Sequence, residues 1–305
     1  MPTIAELAHT FSIPGIVSIT AGEGGLPRVE VTNRHASAHI YLHGAHVSHF
    51  QTIGNQPLIW MSARSLFTHD KAIRGGVPIC WPWFGPHPSD ASKPAHGFAR
   101  SRDWTVIETA TLHDGRTRIV MTLSSDAATL LLWPHAFVLR YTITIGQTLE
   151  LDLRVDNLSD QSFVFTEALH TYVTVGDVRQ IRISGLSGTT YADKVRQSHR
   201  FTDHGDIVFT DETDRVYLKS TTPCTVHDPL LTRKIVVSKT GSQATVIWNP
   251  WIAKAKAMAD FGDDEWPGMV CVETVNALDH AVTLAPGASH HMTTCIGAET
   301  TGDGR

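Results

Sequence analysis

The sequence predicts an all-β fold, a sandwich or barrel, and three observations carry that expectation. More than a dozen short runs rich in β-branched and apolar residues are separated by turn-forming clusters. One pair of these runs alternates cleanly. Leu139, Tyr141, Ile143 and Ile145 interleave with Arg140, Thr142 and Thr144, and after the turn Gly146-Gln147 the residues Leu149, Leu151, Leu153 and Val155 interleave with Glu150, Asp152, Arg154 and Asp156. Segments with helical periodicity are scarce and short.

Taken in order, residues 3–10 predict a short N-terminal helix, within a lead-in of residues 1–14. Strands are expected at 16–20, 28–32 and 39–42, with Gly44 in the turn to the next strand. After a long irregular stretch come strands at 103–109 and 117–123, then the alternating hairpin. Further strands are expected at 162–168, 179–183, 215–219, 223–227, 234–238, 244–248, 270–274, 281–284 and 291–296. Helices at 125–132 and 252–258 complete the reading, and residues 298–305 are expected to fray. No linker or shift in composition divides the 305 residues, so one domain is expected.

Composition narrows the function. Hydrophobic residues at 42% and charged residues at 18% specify a folded globule. A net charge of −5 and the lack of a basic run argue against a nucleic-acid partner. The apolar runs are too short to span a bilayer as helices. The opening MPTIAELAHTFSIP lacks the cationic then apolar order of a secretory leader, and Cys80, Cys224, Cys271 and Cys295 are widely spaced. A cytoplasmic protein with reduced thiols is expected. Nothing demands assembly, so a monomer is expected. P-loop, GxGxxG and GxSxG motifs are absent from the sequence.

The irregular stretch from Lys71 to Asp103 holds Arg74, Arg100, Arg102, His87, His96, Trp81, Trp83 and Phe84, with five prolines and four glycines. That density of Pro and Gly predicts a loop without regular structure. Arginine forks suit a dianion such as phosphate, and aromatic faces suit the apolar side of a sugar ring. A loop packed by its own aromatics reads equally well from composition.

Candidate chemistry lies elsewhere too. His170 follows an apolar strand, with Glu167 three residues before it, and imidazole is suited to proton transfer near neutrality. Alone, a histidine at a strand end is more often a satisfied structural residue than a catalyst. Glu273 sits inside a strand pattern, sharing a face with Met269 and Cys271, so it must be paired, solvated in a cleft or kept for function. Asp214 opens another strand. His43, His46 and His49 are spaced by three, which does not match strand alternation, and no neighbouring carboxylate completes a metal set, so packing roles are expected. His290 and His291 fall on opposite faces of a strand and read as structural.

Together IRGGVPICWPWFG, HGFAR, ALHTY, ETDRVY, NPW and MVCVET resemble the hexose-6-phosphate mutarotases, the glucose-6-phosphate 1-epimerase-like branch of the aldose 1-epimerases. The motifs run from about residue 15 to residue 297 in the family's order. The resemblance implies a large antiparallel β-supersandwich, galactose mutarotase-like, with few short helices. It implies His170 as general acid and Glu273 as general base, with no cofactor or metal needed for the chemistry. It further implies a phosphosugar substrate bound by Arg74, Arg100 and His96, with Asp214 on sugar hydroxyls. Arg102 has no such counterpart. Ala95 stands where some members have a substrate-contacting Gln. Two other readings remain open: a non-catalytic carbohydrate-binding protein on the same fold, and a metal-dependent isomerase using His43, His46 and His49.

Overall fold

The computed structural model describes residues 2–301. Two eight-stranded antiparallel sheets account for most of it. The first orders its strands as Arg182–Ser184, Cys224–Asp228, Arg233–Thr240, Ser289–Thr300, Leu149–Asn157, Phe137–Ile145, Thr117–Ser124 and Thr105–Thr111. The second runs His199–Thr202, Thr190–Asp193, Thr213–Leu218, Ala244–Asn249, Met269–Asn276, Glu167–Leu169 and Ile79–Cys80, with Tyr172–Thr174 also paired to Met269–Asn276. A four-stranded N-terminal sheet (Val17–Ala21, Pro27–Thr32, Ala36–Tyr41, His46–Thr52) and a small pair (Phe163–Phe165 with Val282–Leu284) complete the strands.

The alternating hairpin shows why these residues make sheet. Tyr141 lies opposite Leu153 and Ile143 opposite Leu151, all buried, while Arg140 and Arg154 share the outer face. Each buried Leu contributes about 1.5–3 kcal/mol relative to an exposed one, so a one-residue slip would turn that whole row to water. The N-terminal helix Ile4–Phe11 starts at a reciprocal cap: Thr3 Oγ1 accepts from the Glu6 amide and Glu6 Oε2 accepts from the Thr3 amide. The helices expected at 125–132 and 252–258 are present as Ala127–Leu132 and Trp251–Ala257.

Four expectations are corrected. The Pro- and Gly-rich stretch does contain a strand, the two residues Ile79–Cys80, which pair with Ala168 and Leu169. A single short rung survives because the flanking prolines need not donate to the ladder. The chain does not fray from 298: the last strand continues to Thr300, Thr301 donates to Thr232 O, and the remainder of the expected tail lies outside the described residues. The edge strand His199–Thr202 and its neighbour Thr190–Asp193 had no apolar alternation to announce them. Finally, His46 and His49 do share a strand. Ile40 pairs with Val47 but His39 with His49, so Ser48 is an extra, bulged residue that resets the alternation.

Candidate active site

The second sheet builds the site. All eight residues of Met269–Asn276 are buried. Leu169 pairs with Thr274 and Tyr172 with Cys271, so one register runs through both short strands and puts His170 directly across from Glu273. Residues opposite each other on antiparallel strands present their side chains on one face. His170 Nε2 lies 3.4 Å from Glu273 Oε1. The imidazole stacks on Tyr172, with centroids 4.9 Å apart and planes 12° from parallel. On the next strands Trp248 pairs with Cys271, and Asp214 with Trp248, which carries the same face outward to Asp214.

The 71–103 loop closes over this face. Its Trp81-Pro82 peptide is cis. Phe84 N–H donates to Thr166 Oγ1 (2.7 Å) and Thr166 N–H to Pro82 O (3.0 Å), pinning the loop to the strand that leads into His170. His96 N–H donates to Gly85 O, and Gly85 N–H donates to His96 Nδ1. The second bond leaves the ring hydrogen on Nε2, a neutral donor. These bonds hold His96 in the left-handed region (φ 64°), unusual for a residue with a Cβ. Gly97 follows at φ 70°, and any side chain there would strike the Trp81 carbonyl.

A cavity of ≈ 530 Å³ results, lined by Arg74, His96, Arg100, His170, Lys194, Asp214 and Glu273, with Phe84 and Trp248 as its aromatic walls. All six residues expected from the sequence to act in one site therefore reach one cavity. One expectation about the loop is corrected. Trp81 and Trp83 do not face a sugar, because both are buried in the core, where Trp83 Nε1–H donates to Pro94 O. Phe84 is the loop aromatic at the cavity. Arg102 does not line it. Ala95 does, and its carbonyl accepts from Arg100 (2.8 Å), a contact that needs no particular side chain at 95.

Sequence reasoning missed Lys194, which reads as a turn residue beyond an unrecognised strand. Its Nζ lies 3.6 Å from Asp214 Oδ1 and 4.6 Å from the centre of the Phe84 ring. It also missed Tyr172 and Asp260 as the holders of Arg74. The guanidinium donates to the Tyr172 hydroxyl (3.0 Å) and through Nε to Asp260 Oδ2 (3.1 Å). Arg100 pairs with no carboxylate among the described residues.

Burial dominates the electrostatics. It pushes the Glu273 carboxyl well above the usual carboxylate range, against the nearby Lys194. It pushes His170 well below the usual imidazole range, and the neighbouring His96, Arg100, Arg74 and Lys194 act in the same direction. His96 is depressed by burial and the same cations. Burial also raises Asp214, with Lys194 opposing. Glu273 Oε2 and His170 Nδ1 have no protein partner. Cys271 lies with His170 and Glu273 so that donor atoms of the three fall within 4.8 Å of one another. Burial drives that thiol well up as well, so the carboxyl and the thiol are disposed to keep their protons while the imidazole is disposed to be neutral.

The family model described as aldose 1-epimerase matches residues 27–296, and the chain belongs to that family. A protein of Escherichia coli (strain K12) named "Putative glucose-6-phosphate 1-epimerase" is 38% identical over 254 residues, covering 83% of this chain and 84% of that protein. A protein of the same name from Cenchrus ciliaris is 36% identical over 277 residues, covering 86% of this chain and 82% of that one. The crystal structure of a "putative mutarotase (YeaD)" from Salmonella typhimurium superposes with a TM-score of 0.88 at 33% identity, over 95% of this chain and 96% of that one. The mutarotase-type all-β fold expected from the motifs is the fold observed.

Proposed function

We propose that the protein interconverts the α and β anomers of a hexose 6-phosphate, with glucose 6-phosphate the first candidate. The observation that carries this reading is the register-enforced meeting of His170 and Glu273 on a cavity wall that also bears Arg100 and Lys194. Ring opening needs a base at the C1 hydroxyl and an acid at the ring oxygen. Glu273 takes the C1 hydroxyl proton and His170 gives its proton to O5. The C1–O5 bond breaks with its electron pair going to O5, and C1 becomes an aldehyde. Rotation about C1–C2 exposes the other face, and closure returns both protons.

The pair needs one proton in total. Burial alone favours the uncharged arrangement, carboxylic acid beside neutral imidazole. A bound phosphate dianion neutralises the cations that depress His170, and so favours transfer of that proton across the 3.4 Å gap to Nε2. The substrate's far end thereby arms its reacting end. Arg100, free of carboxylate, and Lys194 take the phosphate; Arg74, already braced by Asp260 and Tyr172, orients the sugar. His96 donates from Nε2, and Asp214 accepts from a hydroxyl.

The test is polarimetric anomerisation of glucose 6-phosphate. Each acid or base contributes about 10²–10⁴-fold, so His170→Ala and Glu273→Gln are each expected to lose at least about 10²-fold in kcat while remaining folded. Near-normal turnover by either would overturn the assignment. A wild-type protein that binds the sugar phosphate without anomerising it would favour a binding protein instead.

A further inference from the structure

A second cluster lies outside the lining of the sugar cavity. Asp103 pairs with His43 across an antiparallel bridge, and His69 comes over from the preceding loop. His43 Nδ1 is 3.2 Å from Asp103 Oδ1, and His69 Nδ1 is 3.4 Å from Asp103 Oδ2. Donor atoms of all three lie within 4.8 Å of one another. From the sequence, no carboxylate stood near His43; the fold supplies one from 60 residues away.

The other nitrogen of His43 decides what this means. Nε2 lies 2.7 Å from the Lys71 carbonyl, which can only accept, so the ring hydrogen sits on Nε2. In a neutral ring, Nδ1 then turns its lone pair toward a carboxylate oxygen. Two acceptors at that separation require a positive centre between them. An imidazole whose far N–H is fixed by a backbone carbonyl is the usual arrangement of a metal-ligating histidine. A second imidazole aims at the other oxygen of the same carboxylate. Ligands about 2.0–2.1 Å from a tetrahedral zinc lie about 3.3 Å apart, which matches both separations. His43 is buried while His69 is exposed, so the cluster has a closed side and an open side where water completes the shell.

We infer that His43, His69 and Asp103 bind one first-row divalent cation of the zinc class. Two imidazoles and one carboxylate suit such ions and not magnesium or calcium. The role is structural. The ion would tie the turn at 43 to the segment leading to Arg74 and to the segment just after Arg100, bracing both arginine-bearing stretches. It takes no part in the proton chemistry.

Cobalt(II) and zinc are the probes, titrated into the full-length Glu273→Gln protein, which disables the other donor trio. One saturable equivalent is expected, with visible d–d bands for cobalt and a rise in Tm for zinc. Adding His69→Ala, a substitution at an exposed position, should weaken binding at least tenfold and abolish the Tm rise; Asp103→Asn should do the same. Absence of one-equivalent binding in Glu273→Gln would overturn the inference, leaving the cluster as a hydrogen-bonded pair of His43 and Asp103 with His69 alongside. So would unchanged affinity in the His69→Ala double variant. Neither outcome bears on the anomerase reading, which is measured separately.

Discussion

Glu273 carries a cost that shows in stability. Its carboxyl is held protonated by burial, so its folded pKa lies above the unfolded value of about 4.3. As pH rises past that value the unfolded chain ionises first and releases its proton, and stability falls until the folded pKa is reached. Glu273→Gln cannot ionise and escapes that loss. At pH 7–8 the variant is expected to be more stable than wild type. The two proteins should converge below about pH 4. Urea midpoints measured across pH check this, and equal midpoints at neutral pH would mean the carboxyl is ionised in the fold. A residue that inactivates on neutralisation and stabilises at the same time marks a site kept for function.

At the scale of elements, the 71–103 loop and the strand Thr190–Asp193 deliver the cations. Arg100 projects from the short turn Ala99–Ser101, and Lys194 directly follows Asp193. A charge-assisted hydrogen bond is worth about 1.5–3 kcal/mol, so Arg100→Ala is expected to raise KM for glucose 6-phosphate about 10- to 150-fold. Free glucose should be nearly unaffected, and Lys194→Met should act in the same direction more weakly. Parallel anomerisation assays on the two sugars check this; an unchanged ratio of their kcat/KM values would remove the phosphate role. The loop's chemistry was legible because Arg, His and Gly cluster in 33 residues. Its packing was not. Trp81 and Trp83 look alike to Phe84 in sequence, but only the fold shows that the tryptophans turn inward to meet Phe98 and Phe137. Lys194 was hidden because its strand is a polar one near the sheet edge, without the period-2 signal that exposed the hairpin.

Across the whole molecule, local alternation announced the strands, while their partners stayed unreadable. The hairpin at 137–157 pairs with its sequence neighbour, so pattern and pairing coincide. The strand holding Glu273 pairs on one side with Ala244–Asn249 and on the other with segments about 100 residues away, and no property of those distant segments states that register. The His43–His69–Asp103 cluster was obscured for the same reason, since it joins distant segments, whereas the bulge at Ser48 lies within a local hairpin and was hidden because it breaks the alternation itself.

The ladder that joins these segments has a practical consequence. His170 sits in the gap between two short strands that both hydrogen-bond to the strand of Glu273, and the Thr171 carbonyl accepts from the Val272 amide within that gap. His170 and Glu273 cannot drift apart unless the middle of a sheet comes undone. Inactivation by urea should therefore track global denaturation, with enzymatic activity and far-ultraviolet circular dichroism lost at the same midpoint. Activity vanishing at a lower urea concentration would show that the reaction centre loosens ahead of the scaffold.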